Sequence, residues 1–457
     1  MNLSDDFVNQ IKGSLPKADA NHLINSLDKP APLSIRINSG KWNTILPDEN
    51  IPWCPSGFYM KSRPVFTLDP SFHAGAYYVQ EPSSMFVHHV LEAFSPNEKN
   101  IRILDLCASP GGKSTLIASW LGGNGLLIAN EIIKSRAYTL KYNLLKEGCA
   151  NVIVTNNDPQ DFHHIREYFD IILVDAPCSG EGMFRKDPES ICEWSLENVD
   201  KCASRQKRIL SNIIPALKPG GILIYSTCTY NRKENIENTD WIAGNMGLIN
   251  LALEIPSMWQ IDEIHGKNSV GYQFYPHKIK GEGFFISVFK KDEGPSHLIA
   301  NNKRKSGTLT KIDKNETAVI TQWVRTSNLS FLKDKTGTIH ALPDEFEKDA
   351  YYLEAYLRLI YCGVTVGDVN KNILIPNHSL ALSKILIQDF PTISLDLESA
   401  RFYLKKTLPC IESRTRSWML ASYQNNNIGF LKNLGNRINN YLPNEYRILM
   451  DLPEIKT

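Results

Sequence analysis

The chain has 457 residues and a mass of 51.7 kDa, a length that predicts two to four domains at roughly 100–200 residues each. Its 50 Lys and Arg balance 49 Asp and Glu, which excludes a polybasic nucleic-acid coat and an acidic disordered chain. Nine Cys without zinc-type CxxC spacing, a polar N-terminus and no apolar run near ~20 residues predict a soluble cytoplasmic protein without a disulfide scaffold, metal or membrane contact. Nothing in the sequence indicates an obligate partner, so we expect a monomer.

Strand and helix signals alternate along the first two thirds of the chain. A weak break at Pro30 and Pro32 precedes a strand pattern over residues 33–38. Strands are then predicted over 101–106, 125–130, 151–155, 170–174 and 221–226, and helices over 114–121, 135–147 and 196–217. Two late strands, over 271–275 and 283–289, are expected to close the sheet in antiparallel fashion. This alternation predicts an α/β fold with a doubly wound, Rossmann-like sheet.

Three turn signals mark boundaries in this pattern. Gly148 is placed to cap the end of the helix over 135–147. The Pro-Gly-Gly sequence at 219–221 predicts a turn before the last parallel strand. A polar, basic and turn-rich stretch over 294–307 predicts a linker to the C-terminal part of the chain.

The first parallel strand runs into a glycine-rich loop over residues 105–115 (DLCASPGGKST). Doubly wound folds bind nucleotide-like ligands at this place. The phosphate loop of an ATPase needs a glycine where this chain has Cys107, and the GxGxxG pattern of dinucleotide folds is absent. S-Adenosylmethionine carries no phosphate, and Gly111 and Gly112 allow the close backbone approach that it needs. The sequence therefore favours this methyl donor over ATP.

Three carboxylates stand where such a donor needs hydrogen-bond acceptors. Asp105 ends the first strand, and Glu131 ends the second, 20 residues after Gly111, where an acid commonly receives ribose hydroxyls. Asp158 follows the third strand and is placed to meet the adenine amine. For Glu131 the alternative is an acid near a helix start, and for Asp158 it is a turn-forming residue before Pro159.

Two cysteines follow neighbouring strands of the predicted sheet. Cys178 lies in residues 175–182 (DAPCSGEG) and Cys228 in residues 225–230 (YSTCTY). The strands should lie ~4.8 Å apart, and their carboxyl ends open onto the ligand crevice, so we expect both thiols to face one site. A lone cysteine is more often a small core residue. That is our interpretation of Cys54, Cys107, Cys149, Cys192, Cys202, Cys362 and Cys410.

A thiol pair suits methylation of cytosine at C5, a weakly nucleophilic carbon. A thiolate that adds to C6 makes C5 enamine-like, so that C5 attacks a sulfonium methyl group, and loss of the C5 proton then expels the thiolate. A thiol with a pKa near ~8.5 is mostly protonated at neutral pH, so the site must remove its proton. Asp175 is placed to bond to N3 and the exocyclic amine. The residues leave open which thiol attacks, because DNA cytosine-5 enzymes use a Pro-Cys, here Cys178.

These motifs together resemble the NOL/NOP/Sun RNA (cytosine-5) methyltransferases over about residues 30–290. The segments that carry the resemblance are 78–85 (YVQEPSSM), 105–113, 175–182, 184–187 (FRKD) and 226–230. It implies an S-adenosylmethionine-dependent methyltransferase in which Cys228 attacks C6 and Cys178 aids product release. It also implies a donor-binding set in which Cys107 acts through its backbone. That set is Cys107, Ala108, Ser109, Pro110, Gly111, Gly112, Lys113, Glu131, Asp158 and Asp175.

The C-terminal end resembles the PUA-like module of bacterial 16S ribosomal RNA methyltransferases in this group, on residues 428–432, 435–441 and 443–447. This implies ribosomal RNA or the small ribosomal subunit as partner, in preference to tRNA. Residues 401–457 hold nine Lys and Arg against four Asp and Glu, which fits phosphate contact and equally a solvated surface. Aromatic and basic residues in this segment are of the types that contact RNA. They are Trp418, Tyr423, Lys432, Arg437 and Tyr441.

We therefore expect four parts: an RNA-binding extension over 1–72, a catalytic domain over 73–293, a linker and intermediate domain over 294–385, and a PUA-like RNA-binding module over 386–457. The expected reaction is methyl transfer from S-adenosylmethionine to C5 of a cytidine in 16S ribosomal RNA. The alternatives are the same chemistry on tRNA, a noncatalytic assembly factor, the ATPase, and a DNA methyltransferase that would attack through Cys178 alone.

Overall fold

The structure is a computed structural model that describes residues 3–94, 100–294, 307–387, 389–407 and 416–452. The predicted linker over 294–307 lies outside these ranges except for its two end residues, and Cys410 also lies outside them. Within the described ranges, no helix combines the length and the apolar character needed to cross a membrane.

The N-terminal part consists of a helix pair followed by a small antiparallel sheet in the order β2-β3-β1-β4. Ser4 caps the first helix, where its Oγ accepts a hydrogen bond from the Phe7 amide at 3.2 Å. Phe7 and Ile11, four residues apart on one helix face, are both buried. The elements are α1 (Asp5–Ser14), α2 (Lys17–Leu27), β1 (Ser34–Ile37), β2 (Glu49–Ile51), β3 (Cys54–Tyr59), α3 (Pro70–Ala74), β4 (Tyr77–Val79) and α4 (Val87–Phe94).

The central part alternates strands and helices as its sequence predicts. Its strands are β5 (Ile101–Asp105), β6 (Gly125–Asn130), β7 (Val152–Thr155), β8 (Phe169–Asp175), β9 (Leu217–Thr227), β10 (Leu248–Leu251), β11 (Asp262–His265), β12 (Val270–Phe274) and β13 (Phe284–Lys291). Its helices are α5 (Gly112–Leu121), α6 (Lys134–Glu147), α7 (Pro188–Glu193), α8 (Leu196–Ile213) and α9 (Ile236–Asn245). Gly148 ends α6 in the left-handed conformation, as predicted.

The central sheet confirms the doubly wound α/β prediction. Its strand order is β11-β12-β13-β9-β8-β5-β6-β7, with β5 parallel to both β6 and β8, and β8 parallel to β9. β12 and β13 pair in antiparallel fashion, and β13 pairs with β9 in the same way, as expected. Ile103 and Leu104, successive residues of β5, belong to separate hydrophobic clusters, one on each face of the sheet. The carboxyl ends of β5, β8 and β9 therefore meet at one edge of a sheet that is covered on both sides.

Two predicted boundaries are wrong. The helix predicted over 196–217 ends at Ile213, and residues 214–216 form a 3₁₀ turn, because Pro215 has no amide hydrogen to continue the helix. The Pro-Gly-Gly sequence is not a turn before the strand, since β9 already begins at Leu217. Instead, the pairing of β8 with β9 shifts register across these residues, and the left-handed conformation of Gly220 accommodates the irregularity.

The C-terminal part forms two further sheets, in the orders β14-β15-β16-β18-β19 and β20-β21-β22-β23. The strands are β14 (Thr310–Lys311), β15 (Leu329–Lys333), β16 (Thr338–Pro343), β17 (Leu359–Cys362), β18 (Val364–Asn370), β19 (Ile373–Pro376), β20 (Thr392–Ser394), β21 (Trp418–Tyr423), β22 (Asn426–Asn433) and β23 (Ile438–Asn440). The helices are α10 (Lys314–Ile320), α11 (Glu347–Glu354), α12 (His378–Leu382) and α13 (Leu397–Leu404).

One strand of this C-terminal part joins the central sheet, which the sequence did not predict. β17 pairs with the outer edge of β7 in antiparallel fashion, with Leu359 opposite Thr155. The addition covers an edge that would otherwise present unpaired backbone groups. The Lys41 ammonium ties the three parts together, because it donates to the carbonyls of Ala74, Lys146 and Leu382 at 3.0, 2.6 and 2.8 Å. The three parts are thus packed around the central sheet.

Candidate active site

The two cysteines predicted to share a site are in contact. β8 and β9 are neighbours with Asp175 paired to Ser226, so the loops that follow them start side by side. The Sγ atoms of Cys178 and Cys228 lie 3.1 Å apart, and the Cys228 amide is 3.4 Å from the Sγ of Cys178. The structure therefore places two thiols within hydrogen-bonding distance at the carboxyl edge of the sheet.

The environment of Cys178 favours its protonated form. The hydrogen bond with the sulfur of Cys228 and then burial raise the pKa of Cys178 well above its usual value. A negative charge on Cys178 would also face the buried carboxylate of Glu234. At neutral pH, Cys178 consequently carries its proton and can donate it to a neighbouring sulfur.

Asp175 lies at the end of β8 and is held by two donors. Its Oδ1 accepts from the Ser226 hydroxyl and its Oδ2 from the Lys113 ammonium, both at 2.8 Å. Burial acts to lower the pKa of Lys113, but the Asp175 carboxylate outweighs it and raises that pKa. Lys113 also lies over the Phe284 ring at 5.2 Å from its centroid. The carboxylate is thus fixed in orientation with its charge compensated.

A cavity of about 350 Å³ lies between the glycine-rich loop and Cys228, and neither Cys178 nor Gly111 lines it. Nine of the predicted site residues line it. They are Asp175 and Cys228 together with Asp105, Cys107, Ala108, Ser109, Pro110, Gly112 and Lys113. Several other lining residues were not predicted from the sequence to belong to the site, although some lie in the segment over 78–85 that carried the resemblance. These include Tyr78, Gln80, Met183, Gly283 and Phe284.

Asp105, which lines this cavity, has one carboxylate oxygen without a partner among the described residues. Its Oδ2 accepts from the Ser114 hydroxyl at 2.6 Å, whereas its buried Oδ1 has no hydrogen-bond partner in the described part of the chain. Burial raises the pKa of Asp105 to about 7. A buried polar atom without a partner costs free energy, so a ligand that brings a cation or an N–H donor to this atom is favoured. An amine- and sulfonium-bearing methyl donor has this chemistry.

The glycine turn has a backbone conformation that glycine adopts readily. Gly111 precedes α5 with a positive φ of 116°, a conformation that L side chains rarely adopt. A Cβ added at Gly112 would lie 3.4 Å from the Tyr78 ring and 3.5 Å from the Gln80 side chain. Burial raises the pKa of the Cys107 thiol, which favours a contribution through its backbone over one through its sulfur.

Glu131 and Asp158 are not brought to the walls of this cavity. Glu131 is buried, where its Oε1 accepts from the Ile133 amide at 2.9 Å and its Oε2 lies 3.6 Å from Arg136. Asp158 caps a short 3₁₀ helix, with its Oδ1 accepting from the Gln160 amide at 2.9 Å. Both side chains thus make the local contacts that the sequence had offered as alternatives. Their roles toward a donor stay predictions.

Two buried glutamates that the sequence analysis did not single out join the cysteine loops. Glu181, on the loop of Cys178, accepts from the Tyr230 amide at 2.9 Å. Glu234, which follows Cys228, accepts from the Ser179 amide at 3.0 Å. Burial raises the pKa of Glu234 to about 7. Each loop therefore holds the other through a carboxylate, an arrangement between distant residues that local sequence patterns do not reveal.

Gly182 allows the two loops to approach each other closely. Its amide donates to the Cys228 carbonyl at 2.8 Å. A Cβ at this position would lie 2.4 Å from the Gly283 carbonyl oxygen and 2.9 Å from that of Cys228. A larger residue would displace the loops.

Among the described residues, no group of three or more His, Cys, Asp or Glu side chains is arranged to hold a metal ion.

Three family models match successive parts of the chain. Residues 3–82 match the N-terminal domain of 16S rRNA methyltransferase RsmF. Residues 91–290 match the model of 16S rRNA methyltransferase RsmB/F, and residues 390–448 match the methyltransferase RsmF PUA domain. The matches follow the order in which the fold places the N-terminal, central and last C-terminal elements.

Curated relatives match over nearly the full length. The ribosomal RNA small subunit methyltransferase F of Shewanella loihica is 31% identical, over 97% of this chain and 95% of its own. The protein of the same name from Vibrio vulnificus is 29% identical over 97% of both chains.

Solved structures share the catalytic fold. NSun6 from Pyrococcus horikoshii has a TM-score of 0.53 and 21% identity, over 63% of this chain and 98% of its own. A methyltransferase homologue from the same organism has a TM-score of 0.50 and 25% identity, over 63% of this chain and all of its own.

Proposed function

The chain belongs to the RsmF family of 16S rRNA methyltransferases, and from this premise we propose that it methylates C5 of a cytidine in 16S ribosomal RNA. The proposed donor is S-adenosylmethionine, and the proposed intermediate is a covalent bond between the sulfur of Cys228 and C6 of the cytosine. The observation that carries this proposal is the contact between Cys228 and Cys178, with their sulfurs 3.1 Å apart beside the cavity.

The cavity residues fit the donor. Asp105 has a free buried oxygen for a cationic or N–H group, and the turn at Gly111 and Gly112 exposes backbone rather than side chains. When bound there, S-adenosylmethionine supplies an electrophilic methyl group. The protein contributes the acceptors, the close backbone approach and the exclusion of water. Glu131 and Asp158, which do not line this cavity, are the remaining members of the proposed donor set.

The two thiols divide the labour. Cys228 lines the cavity and acts as the nucleophile that adds to C6, which makes C5 electron-rich enough to take the methyl group. Cys178 keeps its proton because its pKa is raised. It is thereby placed to donate to the Cys228 sulfur as the C6–S bond breaks and the C5–C6 double bond forms again. The protons of C5 and N3 pass to solvent, from which Cys178 regains its own. This division is the reason for two sulfurs where a single-thiol mechanism needs one.

Asp175 holds the pyrimidine during addition. As the Cys228 sulfur adds to C6, N3 of the cytosine takes up the proton that the thiol gives up, and the N3–H and 4-amino groups become donors to a carboxylate. The Asp175 carboxylate is already oriented by Lys113 and Ser226 and lines the same cavity as Cys228. A preoriented acceptor costs little reorganisation when charge develops on the base.

The substrate base must leave its stack to reach this crevice. This requirement favours a loop or an exposed helix end of 16S ribosomal RNA in the small subunit. We propose that the N-terminal extension and the basic PUA-like module bind the surrounding RNA through its phosphates.

Bisulfite sequencing of ribosomal and transfer RNA from a deletion strain tests the proposal. We expect one or more cytidines of 16S ribosomal RNA to lose protection in the deletion strain. Protection should return with the wild-type chain but not with Cys228→Ala. Loss of protection in tRNA alone would assign the same chemistry to tRNA. Unchanged protection everywhere would contradict methyl transfer and favour a noncatalytic assembly factor.

A further inference from the structure

The N-terminal helix α1 packs directly on the two loops that carry the cysteines. Phe7 is buried, and its ring lies 5.1 Å from that of Phe184 and 5.5 Å from that of Trp194, both of which follow Cys178 in sequence. Tyr230, from the loop of Cys228, belongs to the same hydrophobic cluster. The helix therefore has one apolar face in contact with both loops.

Gln10 bridges the two loops with its side-chain amide. Its Nε2 donates to the Oε1 of Glu181 at 2.8 Å. Its Oε1 accepts from the Nδ2 of Asn231 at 2.7 Å. Glu181 and Asn231 each lie three residues after a cysteine of the pair, Cys178 and Cys228 respectively. The side-chain amide of Gln10 thus contacts, in each loop, the residue three positions after the cysteine.

The partners of Gln10 are themselves fixed close to the sulfurs. Glu181 is fully buried and also accepts from the Tyr230 amide and from the Trp194 indole, both at 2.9 Å. The backbone amide of Asn231 donates to the Thr229 hydroxyl at 3.2 Å. A shift of Gln10 would therefore be transmitted to both loops through buried, hydrogen-bonded groups, where few alternative arrangements are available.

We propose that Gln10 is a positioning residue that sets the separation of the two sulfurs, so that α1 is part of the catalytic apparatus as well as of the N-terminal extension. This inference rests on the proposed function for its effect on turnover. Gln10 itself does not line the cavity and touches no reacting atom; it acts through Glu181 and Asn231.

Turnover measurements on the full chain test the inference. We expect Gln10→Met, which keeps length and helix propensity, to lower kcat about tenfold, as the loss of two hydrogen bonds near the reacting groups predicts. The KM values for RNA and for S-adenosylmethionine should stay within twofold of wild type. Asn9→Ala, at an exposed neighbouring position of the same helix, is the matched control and should leave kcat unchanged. An unchanged kcat in Gln10→Met, or a defect confined to the KM for RNA, would overturn the inference.

A second readout needs neither RNA nor methyl transfer. Diamide oxidises the two neighbouring thiols to a disulfide and takes up their two electrons and two protons to become a hydrazine. We expect the disulfide between Cys178 and Cys228, quantified by peptide mass spectrometry, to form at least threefold more slowly in Gln10→Met than in wild type or Asn9→Ala. Equal rates would overturn the inference while leaving the proposed function intact. A slowed disulfide in a protein whose wild type transfers no methyl group would instead overturn the proposed function and support the positioning role.

Discussion

The donor side and the thiol side of the crevice are built in different ways. The donor side comes largely from one continuous segment, residues 105–113, and it leaves the buried Oδ1 of Asp105 without a partner among the described residues. The thiol side is assembled from two loops and a distant helix, and its buried acids Glu181 and Glu234 are held by bonds between loops.

This difference indicates separate physical tasks. A binding site for a cationic ligand gains affinity from a hydrogen-bond acceptor that has no partner in the free protein, because the ligand supplies that partner. A pair of reacting sulfurs instead needs fixed geometry, because misplacement of reacting groups by about 1 Å can cost about 100-fold in rate. Changes on the donor side should therefore alter affinity and its pH dependence, whereas changes on the thiol side should alter turnover.

The largest effect is expected at the proposed nucleophile. Cys228→Ser should lower methyl transfer by more than about 10³-fold, because a serine hydroxyl is far less ionised than a thiol near neutral pH. Transfer of a tritiated methyl group to ribosomal RNA measures the loss. Cys192→Ser, at an exposed cysteine, is the matched control and should behave as wild type. Residual activity above about a tenth in Cys228→Ser would contradict its role.

A smaller loss is expected from the carboxylate beside the thiols. Asp175→Asn removes the charge that accepts from Lys113 and from the protonated base, and we expect kcat to fall about 100-fold, the range found when one stabilising group is removed. The exposed Asp200→Asn provides the control. Steady-state kinetics, with RNA and S-adenosylmethionine varied in turn, will give kcat and KM for both variants. A rise in the KM for RNA at constant kcat would show that Asp175 only binds the substrate.

On the donor side, affinity should depend on pH through Asp105. Its pKa is about 7 in the free protein because burial outweighs the effects of Ser114 and Lys113. A cationic donor favours the carboxylate and lowers this pKa on binding, so protonation competes with binding as the pH falls through 7. We expect binding of S-adenosylmethionine, measured by calorimetry, to be about tenfold weaker at pH 6 than at pH 8. Asp105→Asn should remove this pH dependence of the affinity. Equal affinities of the wild type at pH 6 and pH 8 would contradict the role given to Asp105.

The smallest effect is expected on the thiol side, where Gly182 lets the two cysteine loops approach each other. Gly182→Ala places a Cβ 2.4 Å from the Gly283 carbonyl oxygen and 2.9 Å from that of Cys228, so the loops must separate. We expect the free energy of unfolding in urea to fall by about 1–3 kcal/mol, as for other overpacked sites, and kcat to fall severalfold. Gly244→Ala, where nothing lies within 4 Å, should not destabilise the chain. Equal stabilities of the two variants would show that the loops tolerate the extra atom.

The catalytic fold was predictable because its signals are local. The apolar runs that became β5, β6 and β8, and the Gly148 cap of α6, are decided by neighbouring residues. The error at residues 219–221 arose because pairing with β8 on either side, at Leu217 and again from Ile222, keeps a Pro-Gly-Gly sequence within a strand despite its turn propensity. Likewise, the addition of β17 to the catalytic sheet depends on an open edge at β7 that no sequence window contains.

In the site, too, the features set by local sequence could be predicted, and those set by contacts between distant residues could not. The contact between Cys178 and Cys228 could be expected, since both follow adjacent strands and parallel strands end at one edge. The bridge from Gln10 joins residues more than 170 positions apart, and a lone glutamine in an amphipathic helix carries no signal of such a partner. Nor did the spacing of Glu131 show that its carboxylate is occupied by the Ile133 amide.

The most direct test of the central claim is to trap the covalent intermediate. Wild type, Cys178→Ser and Cys228→Ser would each be incubated with ribosomal RNA and S-adenosylmethionine and resolved on a denaturing gel. If Cys228 attacks and Cys178 donates the proton for release, Cys178→Ser accumulates an RNA adduct that survives denaturation, and Cys228→Ser forms none. An adduct in Cys228→Ser and its absence in Cys178→Ser would reverse the two roles and contradict the account.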